Sequence, residues 1–324
     1  MDFKSETTQT TTDDIDELFS WSEGWDFEYT QLTAGRLGFR ERVVQLPGVA
    51  IKWHTATQAM LVRETFLRGL GFGFVRDAVG PTRWRGQEID VHDGLLYQSG
   101  NEQHYALGRS TSSMSIELDD RLVQALGWNL DCVAPLQRFD PAAIKDLELI
   151  CADVKRMTEQ DALASSYTQA ARADSLYLLS RRDAVLRRLR KVLQPWFACQ
   201  GHVHDSVERA TPGFLLVSQA VAYTLRRDDS SIPSNVELAS LLRVSERTLF
   251  RAFQGWVGMS PQAFFELRRL HRFRQFLFAA PRLKGAITKA AMQSGITHMG
   301  RLSERYRKQF GESPSEALKR RLKT

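Results

Sequence analysis

Apolar and polar positions in residues 234–314 repeat one pattern twice, about 53 positions apart. In each copy an alanine-containing stretch ends at an apolar residue, a Ser or Thr follows (Ser245, Thr297), and two apolar residues then stand four positions apart. These pairs are Leu249 with Phe253 and Leu302 with Tyr306. A four-residue spacing places side chains on one helix face, and a Ser or Thr hydroxyl can cap a helix start. Each copy is therefore predicted to be two helices joined by a tight turn.

The two copies also end alike. Gly258 and Gly311 stand where a helix end favours a left-handed residue, and a Ser-Pro pair then restarts a helix in each copy. Residues 262–279 between them have a helical pattern. A short helix, a tight turn and a capped second helix make up the helix-turn-helix layout, in which the second helix can enter the DNA major groove.

Three motifs resemble the C-terminal DNA-binding domain of the AraC/XylS family of bacterial transcriptional regulators. They are Val244-Ser-Glu-Arg-Thr-Leu-Phe-Arg-Ala-Phe253, Gly258-Met-Ser-Pro261 and Phe310-Gly-Glu-Ser-Pro314. The resemblance covers about the last 110 residues, and we assign residues 213–324 to this domain. It implies a double helix-turn-helix whose two recognition helices lie in successive major grooves of double-stranded DNA, in a regulator or activator that acts on RNA polymerase.

The family motif, matched position by position, places its base-contacting residues at Arg247, Phe250 and Arg251. Arg251 can read guanine, Phe250 can meet a thymine methyl group, and Arg247 can contact either a base or a phosphate. A phosphate or solvent contact is the alternative for each arginine. The full set predicted for the first unit is Arg243, Ser245, Glu246, Arg247, Phe250, Arg251 and Gln254.

The second unit departs from this pattern. Its predicted DNA-facing residues are Thr297, Met299, Gly300, Arg301, Ser303, Glu304 and Arg305. The base-facing positions among them carry no cation, and Gly300 costs about 1 kcal/mol of helix stability. Glu304 can accept from cytosine N4 but repels phosphate, whereas Arg301 and Arg305 suit backbone contacts. We therefore predict that the first unit dominates sequence reading and that the second mainly adds affinity.

Arg243 stands at a turn position that often carries glycine in the family. A positive φ there would cost an arginine about 1 kcal/mol, and a phosphate contact would offset that cost. The sequence leaves both outcomes open.

The upstream pattern changes to short apolar runs bounded by Gly, Pro, Asn or Asp, such as residues 49–53 and 71–75. Such runs predict a strand-rich sandwich or barrel over residues 21–138. The resemblance implies a cupin-like, effector-binding barrel here. The expected fold class is α+β, with this barrel, linking helices and an all-α double helix-turn-helix. Residues 1–20 are rich in Thr and Asp and are expected to be a mobile leader.

Residues 139–200 are predicted to form two amphipathic linking helices, the first starting at Asp140-Pro141 and the second spanning about 175–196. The resemblance implies that such helices form a homodimer. Packing of both helices on their own barrel has equal weight, because an apolar stripe does not identify its partner. Residues 201–213 are interpreted as a linker, although Thr211 can also cap the first helix of the DNA-binding domain.

Arginines and aromatic residues recur in the predicted barrel. Arginine can hold a carboxylate through two hydrogen bonds and aromatic walls can enclose an apolar body, which makes a small acidic effector a candidate. The residues proposed for it are Trp53, Arg76, Trp84 and Tyr97. The favoured alternative is that Trp84 packs inward while Arg83 and Arg85 alternate outward on an exposed strand.

Charge supports the assignment of the DNA end. Residues 213–324 hold 20 of the 44 Lys and Arg residues but 8 of the 38 Asp and Glu residues, which gives this segment +12 within a chain of +6. A solvated basic face is the alternative. The polar start and the lack of a long apolar run argue against secretion and membrane insertion, so a cytoplasmic location is expected.

Composition offers little for catalysis. Cys132, Cys151 and Cys199 lack metal-ligand spacing and basic neighbours, while His202 and His204 form a pair without further ligands. His54, His92 and His104 are far apart. We expect no enzyme activity, no cofactor and no metal site. The rival hypotheses are a DNA-repair or DNA-modifying enzyme that uses this DNA-binding domain, and a nucleoid protein that binds without sequence preference.

Overall fold

A computed structural model describes residues 6–20, 25–128, 130, 136–165, 175–197, 210–226, 232–279, 285–296 and 298–321. Strands occupy the first part of the chain. They are β1 (Glu6–Thr12), β2 (Trp25–Gln31), β3 (Phe39–Leu46), β4 (Val49–Ala56), β5 (Met60–Phe66), β6 (Leu70–Val79), β7 (Thr82–Trp84), β8 (Gln87–Ile89), β9 (Asp93–Gln98), β10 (Glu102–Leu107), β11 (Arg109–Leu118) and β12 (Leu136–Arg138).

Within the described residues the strands form two antiparallel sheets. The larger has the order β1-β3-β4-β11-β6-β9-β12 and the smaller β2-β5-β10-β7-β8. Apolar side chains from both sheets pack between them, including Met60 and Tyr105 of the smaller sheet and Leu95 of the larger. The α+β class and the strand-rich N-terminal region are confirmed, whereas the pairing consists of two sheets without closure, so the cupin-like barrel stays a prediction.

Helices follow the strands. A short helix α1 (Asp120–Leu126) precedes α2 (Pro141–Ser165) and α3 (Ser175–Phe197). The stripe of α3, with Leu189 and Leu193 fully buried, packs with α2 against the outer face of the larger sheet. This arrangement matches the alternative in which the linking helices cover their own strands, because the stripe is already occupied.

The first residues differ from the expected mobile leader. β1 pairs along its whole length with β3, and a 3₁₀ helix spans Ile15–Ser20. The physical reason is twofold: β-branched threonines suit an edge strand, and Ile15 and Leu18 are buried in the core. Asp14 and Asp16 also bind Arg274, a partner about 260 positions away that local pattern does not reveal.

The C-terminal part is helical. Its helices are α4 (Pro212–Arg226), α5 (Asn235–Leu241), α6 (Glu246–Val257), α7 (Pro261–Ala279), α8 (Ala286–Gln293), α9 (Leu302–Phe310) and α10 (Pro314–Arg321). Helix α7 contributes Phe264 and Phe265 to one core, with α4 and α6, and Phe273 and Leu277 to a second, with α8, α9 and α10. One helix therefore joins two helix-turn-helix units, as the sequence predicts.

Among the described residues, no helix is long and apolar enough to cross a membrane. The same residues hold no group of three or more side chains that could ligate a metal ion. His202, His204, Cys132, Cys199 and most of the predicted linker lie outside the described residues.

Candidate nucleic-acid interface

Helix α6 is the recognition helix of the first unit. The Ser245 hydroxyl accepts a hydrogen bond from the Thr248 amide at 3.1 Å, which is the predicted N-cap. Leu249, Phe253 and Trp256 recur every three or four residues and are buried against the rest of the domain. This packing fixes which face of α6 meets the solvent.

The solvent face of α6 carries the side chains expected to read DNA. Glu246, Arg247, Arg251 and Gln254 are exposed, and the Phe250 side chain is 47% exposed. Within the part of the chain that the structure describes, neither Arg247 nor Arg251 has an ion-pair partner. Two cations without protein partners flank an exposed aromatic ring, an arrangement that suits guanine and thymine edges in a major groove.

The turn before α6 has a left-handed residue at Arg243, whose φ is 53°. Its amide donates to Ser240 O at 3.2 Å, and the Val244 amide donates to Ala239 O at 3.0 Å. The second unit has the same turn with Gly295 at φ 74°. The first unit therefore uses a strained arginine where the second uses glycine.

The second recognition helix starts late. Met299–Arg301 form a 3₁₀ turn with no side-chain cap, and α9 begins only at Leu302. It has nine residues where α6 has twelve. The weak start agrees with the expected effect of Gly300 on helix formation. Thr297, the predicted cap, lies outside the described residues.

The predicted contacts of the second unit are exposed at Met299, Gly300, Arg301, Ser303 and Glu304. Arg305 is also exposed, but its guanidinium lies 2.8 Å from a carboxylate oxygen of Glu266 on α7. A solvent-exposed pair of this kind is worth well under about 1 kcal/mol, so a phosphate can replace Glu266. The surface of α9 offers fewer base-reading groups than that of α6.

Comparison with known proteins identifies this paired-unit region. Residues 238–320 match the family model described as a helix-turn-helix domain. A stretch of 111 residues, 34% of the chain, is 32% identical to a XylDLEGF operon transcriptional activator of Pseudomonas putida and covers 33% of that protein. The C-terminal region is an AraC-type helix-turn-helix domain.

The chain is also similar to a second regulatory protein and to a protein of known structure. Regulatory protein HrpB of Ralstonia nicotianae is 35% identical over 100 residues, which are 31% of the chain and 21% of that protein. The chain thus spans a third or less of the length of these two relatives. The similarity to the AraC-like transcriptional activator CuxR covers 89% of this chain and 99% of the CuxR chain, with 12% sequence identity and a TM-score of 0.40.

The AraC-type domain is docked on the strand-rich region through the end of α9. Gln31 and Gln309 exchange two hydrogen bonds. Gln31 Nε2 donates to the backbone carbonyl oxygen of Gln309 at 2.8 Å, and Gln309 Nε2 donates to that of Gln31 at 2.9 Å. The Gly35 amide lies 3.1 Å from the carbonyl oxygen of Lys308. His271 on α7 donates from Nε2 to Gln31 O at 3.2 Å, and burial lowers its pKa to about 4, so its ring is neutral.

Arg274 is the second docking point and is 2% exposed. Its guanidinium binds Asp14 at 2.5 Å, Asp16 at 2.6 Å and the Tyr306 hydroxyl at 2.7 Å. Burial raises the pKa of Asp16 to about 6; burial also opposes ionisation of Asp14, but Arg274 holds its pKa below the usual value. Sequence reasoning missed this cluster, although an arginine four positions after buried Leu270 on the apolar stripe of α7 was its signal.

A cavity of about 140 Å³ lies between the two sheets and is called the inter-sheet cavity. Its lining includes Tyr97, one of the four residues proposed for effector binding. The other three lie elsewhere. Trp84 is buried and donates to Gln103 Oε1 at 2.7 Å, Trp53 packs against the core under α2 and α3, and Arg76 pairs with Glu148 of α2 at 2.9 Å.

Polar groups that the sequence did not single out line the inter-sheet cavity. Lys52 Nζ lies 2.9 Å from a Glu117 carboxylate oxygen, and His54 Nε2 lies 2.8 Å from Glu41. Burial raises the pKa of Glu64 to about 8, so this carboxyl is mostly protonated at neutral pH. In the sequence, these lining residues are polar residues that alternate along strands at positions facing inward. Which positions face inward becomes clear only when the opposite sheet is known.

Proposed function

We propose that the protein is a sequence-specific DNA-binding transcription regulator that responds to an effector or partner through its N-terminal region. The single observation behind this proposal is the solvent face of α6, where Arg247, Phe250 and Arg251 are exposed on a capped helix of an AraC-type domain. A relative of this domain is by name a transcriptional activator, which supports activation.

The two units have different roles. The first unit reads bases through α6. The second unit adds phosphate contacts through Arg301 and Arg305 and anchors the DNA-binding domain to the strand-rich region through Gln309. Two copies of the chain place two such domains on paired half-sites, and the bound complex acts on RNA polymerase in the cytoplasm.

The path from effector to DNA runs through the 3₁₀ helix Ile15–Ser20. Leu18 on this helix lines the inter-sheet cavity. Asp16 on the same helix and Asp14 just before it bind Arg274 of α7. A ligand that displaces Leu18 therefore also moves the carboxylates that hold Arg274. Regulation follows if the ligand binds more tightly to one of the two resulting arrangements.

The enzyme rival finds no support at Cys151, the described cysteine. Burial raises the pKa of its thiol to about 12, the reverse of what a nucleophilic thiolate requires. The nucleoid-protein rival makes a different prediction, since it requires equal affinity for all sequences.

A binding comparison on two duplexes tests the proposal. Genomic fragments captured by the full-length protein supply a consensus duplex, and a shuffled duplex of equal length is its control. Fluorescence anisotropy across a salt series should show the consensus bound about 10³-fold more tightly at physiological salt. Equal affinities with the same salt slope would overturn the proposal in favour of non-specific binding.

A further inference from the structure

The inter-sheet cavity has the size of a site for one small ring. Its volume of about 140 Å³ is close to that of cavities of about 150 Å³ that admit benzene. Strands of both sheets line it, and Leu18 of the 3₁₀ helix forms part of its wall. A molecule with one ring and a short arm fits these dimensions.

Aromatic side chains form much of its wall. They are Phe27, Tyr29, Phe39, Tyr97 and Tyr105. Phe27 and Tyr29 stack with ring centroids 5.3 Å apart, and Phe66 packs edge-on against Tyr97 at 5.6 Å. Aromatic faces carry partial negative charge, so such a wall attracts an organic cation as well as an apolar ring.

Acidic groups outnumber basic groups in the same wall. Glu41, Glu64 and Glu117 face Lys52 and His54. Lys52 is paired with Glu117, and His54 is paired with Glu41. His54 holds the pKa of Glu41 below its usual value although burial opposes this. Each basic group in the wall therefore already has a carboxylate beside it.

Glu64 is the carboxyl left over. It is hydrogen-bonded to Tyr105, and within the described residues it has no ion-pair partner. Burying a carboxylate without an ion-pair partner is costly, and burial raises the pKa of Glu64 to about 8, although the Tyr105 hydrogen bond and the charge of Lys52 act in the opposite direction. A cation that enters the cavity would supply the missing partner and favour the ionised form.

We propose that the inter-sheet cavity binds a small protonated amine with an aromatic body, its ring against Tyr97 and Tyr105 and its ammonium group on Glu64. The role of this amine as the effector rests on the proposed function, whereas the binding site itself does not. An acidic ligand would meet Lys52 and His54 only where Glu117 and Glu41 already pair with them, and it would offer Glu64 no counter-charge. Arg76, which suggested an acidic effector, lies outside the lining of this cavity.

The first experiment compares three probes of one shape. Titration calorimetry of the full-length protein at about pH 7 uses 2-phenylethylamine, 2-phenylethanol and phenylacetate, which share a ring and arm and differ in charge. The amine should bind at least about tenfold more tightly than the alcohol, and phenylacetate should bind most weakly. No binding of the amine, or equal or tighter binding of phenylacetate, would overturn the proposal.

Glu64→Gln tests the assigned contact, because it keeps the side-chain shape and removes the charge. The variant should bind 2-phenylethylamine about tenfold more weakly and 2-phenylethanol within about twofold of the wild type. Glu88→Gln, at an exposed position outside the cavity, is the matched control and should bind both probes normally. Unchanged amine affinity in Glu64→Gln would refute the contact.

DNA binding separates this inference from the proposed function. Calorimetry without DNA tests the site alone, and the consensus duplex without amine tests the regulator alone. An amine that binds and changes the affinity for the consensus duplex supports both statements. An amine that binds with no effect on the duplex supports the site and contradicts its role as effector.

Discussion

The two helix-turn-helix units have the same backbone plan but different surroundings. Helix α6 is capped, twelve residues long and exposed along the face that carries Arg247 and Arg251. Helix α9 is nine residues long, starts from an uncapped 3₁₀ turn, and ends at Phe310, one residue after the Gln309 that is hydrogen-bonded to Gln31 of the strand-rich region. Both units contact the strand-rich region, the first through Phe214 against His104 of β10 and the second through Gln309. The difference teaches that a duplicated motif need not keep a duplicated helix, since only the first unit has a capped helix with two exposed arginines.

The largest expected effect concerns the anchor of the second unit. Arg274→Met removes the guanidinium that pairs with Asp16 and leaves Asp14 and Glu312 with Arg320 alone, and should lower the free energy of unfolding by about 3 kcal/mol in urea denaturation. Arg247→Met on exposed α6 is the matched control, with a change below about 0.5 kcal/mol. Similar losses in both variants would mean that Arg274 contributes no more to stability than an exposed arginine.

The next effect concerns base reading. Arg251→Ala should weaken binding to the consensus duplex by about 2 kcal/mol, because a bidentate hydrogen-bonded contact between arginine and guanine is lost. The same variant should bind with less preference for guanine at that base pair. Anisotropy on single-base variants of the duplex measures both changes. Glu304→Ala and Met299→Ala should each change specificity less. The comparison fails if Arg251→Ala keeps full specificity while either of these variants relaxes it.

The stability of the protein should depend on pH through His271, which lies where the second unit contacts the strand-rich region. The pKa of His271 falls from 6.5 to about 4 in the folded protein, so between these values the unfolded chain binds more protons. Stability is therefore lost as the pH falls from 6.5 towards 4, and the loss from this residue exceeds about 2 kcal/mol near pH ~4.5. Urea unfolding at a series of pH values should show a shallower decline for His271→Gln. Parallel curves for the two proteins would contradict this assignment.

A smaller effect compares the helix starts. Ser245→Ala removes the cap of α6 and should cost about 1 kcal/mol of unfolding free energy. His298 precedes a turn with no side-chain cap, so His298→Ala should cost less than about half of that unfolding free energy. Gly300→Ala should stabilise the second unit by about 0.5 kcal/mol, since a Cβ there meets no atom within 4 Å. A loss in Gly300→Ala would show that the 3₁₀ start is required.

Effects of a similar small size concern the paired turns. Arg243→Gly relieves the strain of φ 53° and should stabilise the protein by about 0.5 kcal/mol, after the extra entropy of glycine in the unfolded chain is deducted. Gly295→Ala at the equivalent turn should destabilise it by about 1 kcal/mol. Thermal unfolding measures both. If Arg243→Gly weakens DNA binding as well, Arg243 also contacts the DNA.

The prediction of the helix-turn-helix units from sequence rested on local chemistry. The hydroxyl of Ser245 caps α6 by accepting from the amide three residues ahead, and Leu249 and Phe253 share a face because about one helical turn separates them. The late start of α9 follows from Gly300 and its neighbours in the same way. The residues of the inter-sheet cavity escaped notice, since Glu41, Glu64 and Glu117 come from three strands and meet only when two sheets face each other.

The sequence by itself determined the two units, the unequal exposed residues of their second helices and the strand-rich region, because helix periodicity, capping and strand alternation depend on residues within a few positions. Only the tertiary structure decided that residues 6–20 join a sheet, that Arg274 holds Asp14 about 260 positions away, and that Gln31 pairs with Gln309. These contacts depend on the packing of segments distant along the chain. The positive φ of Arg243 was open from sequence because it depends on the closure of the whole turn.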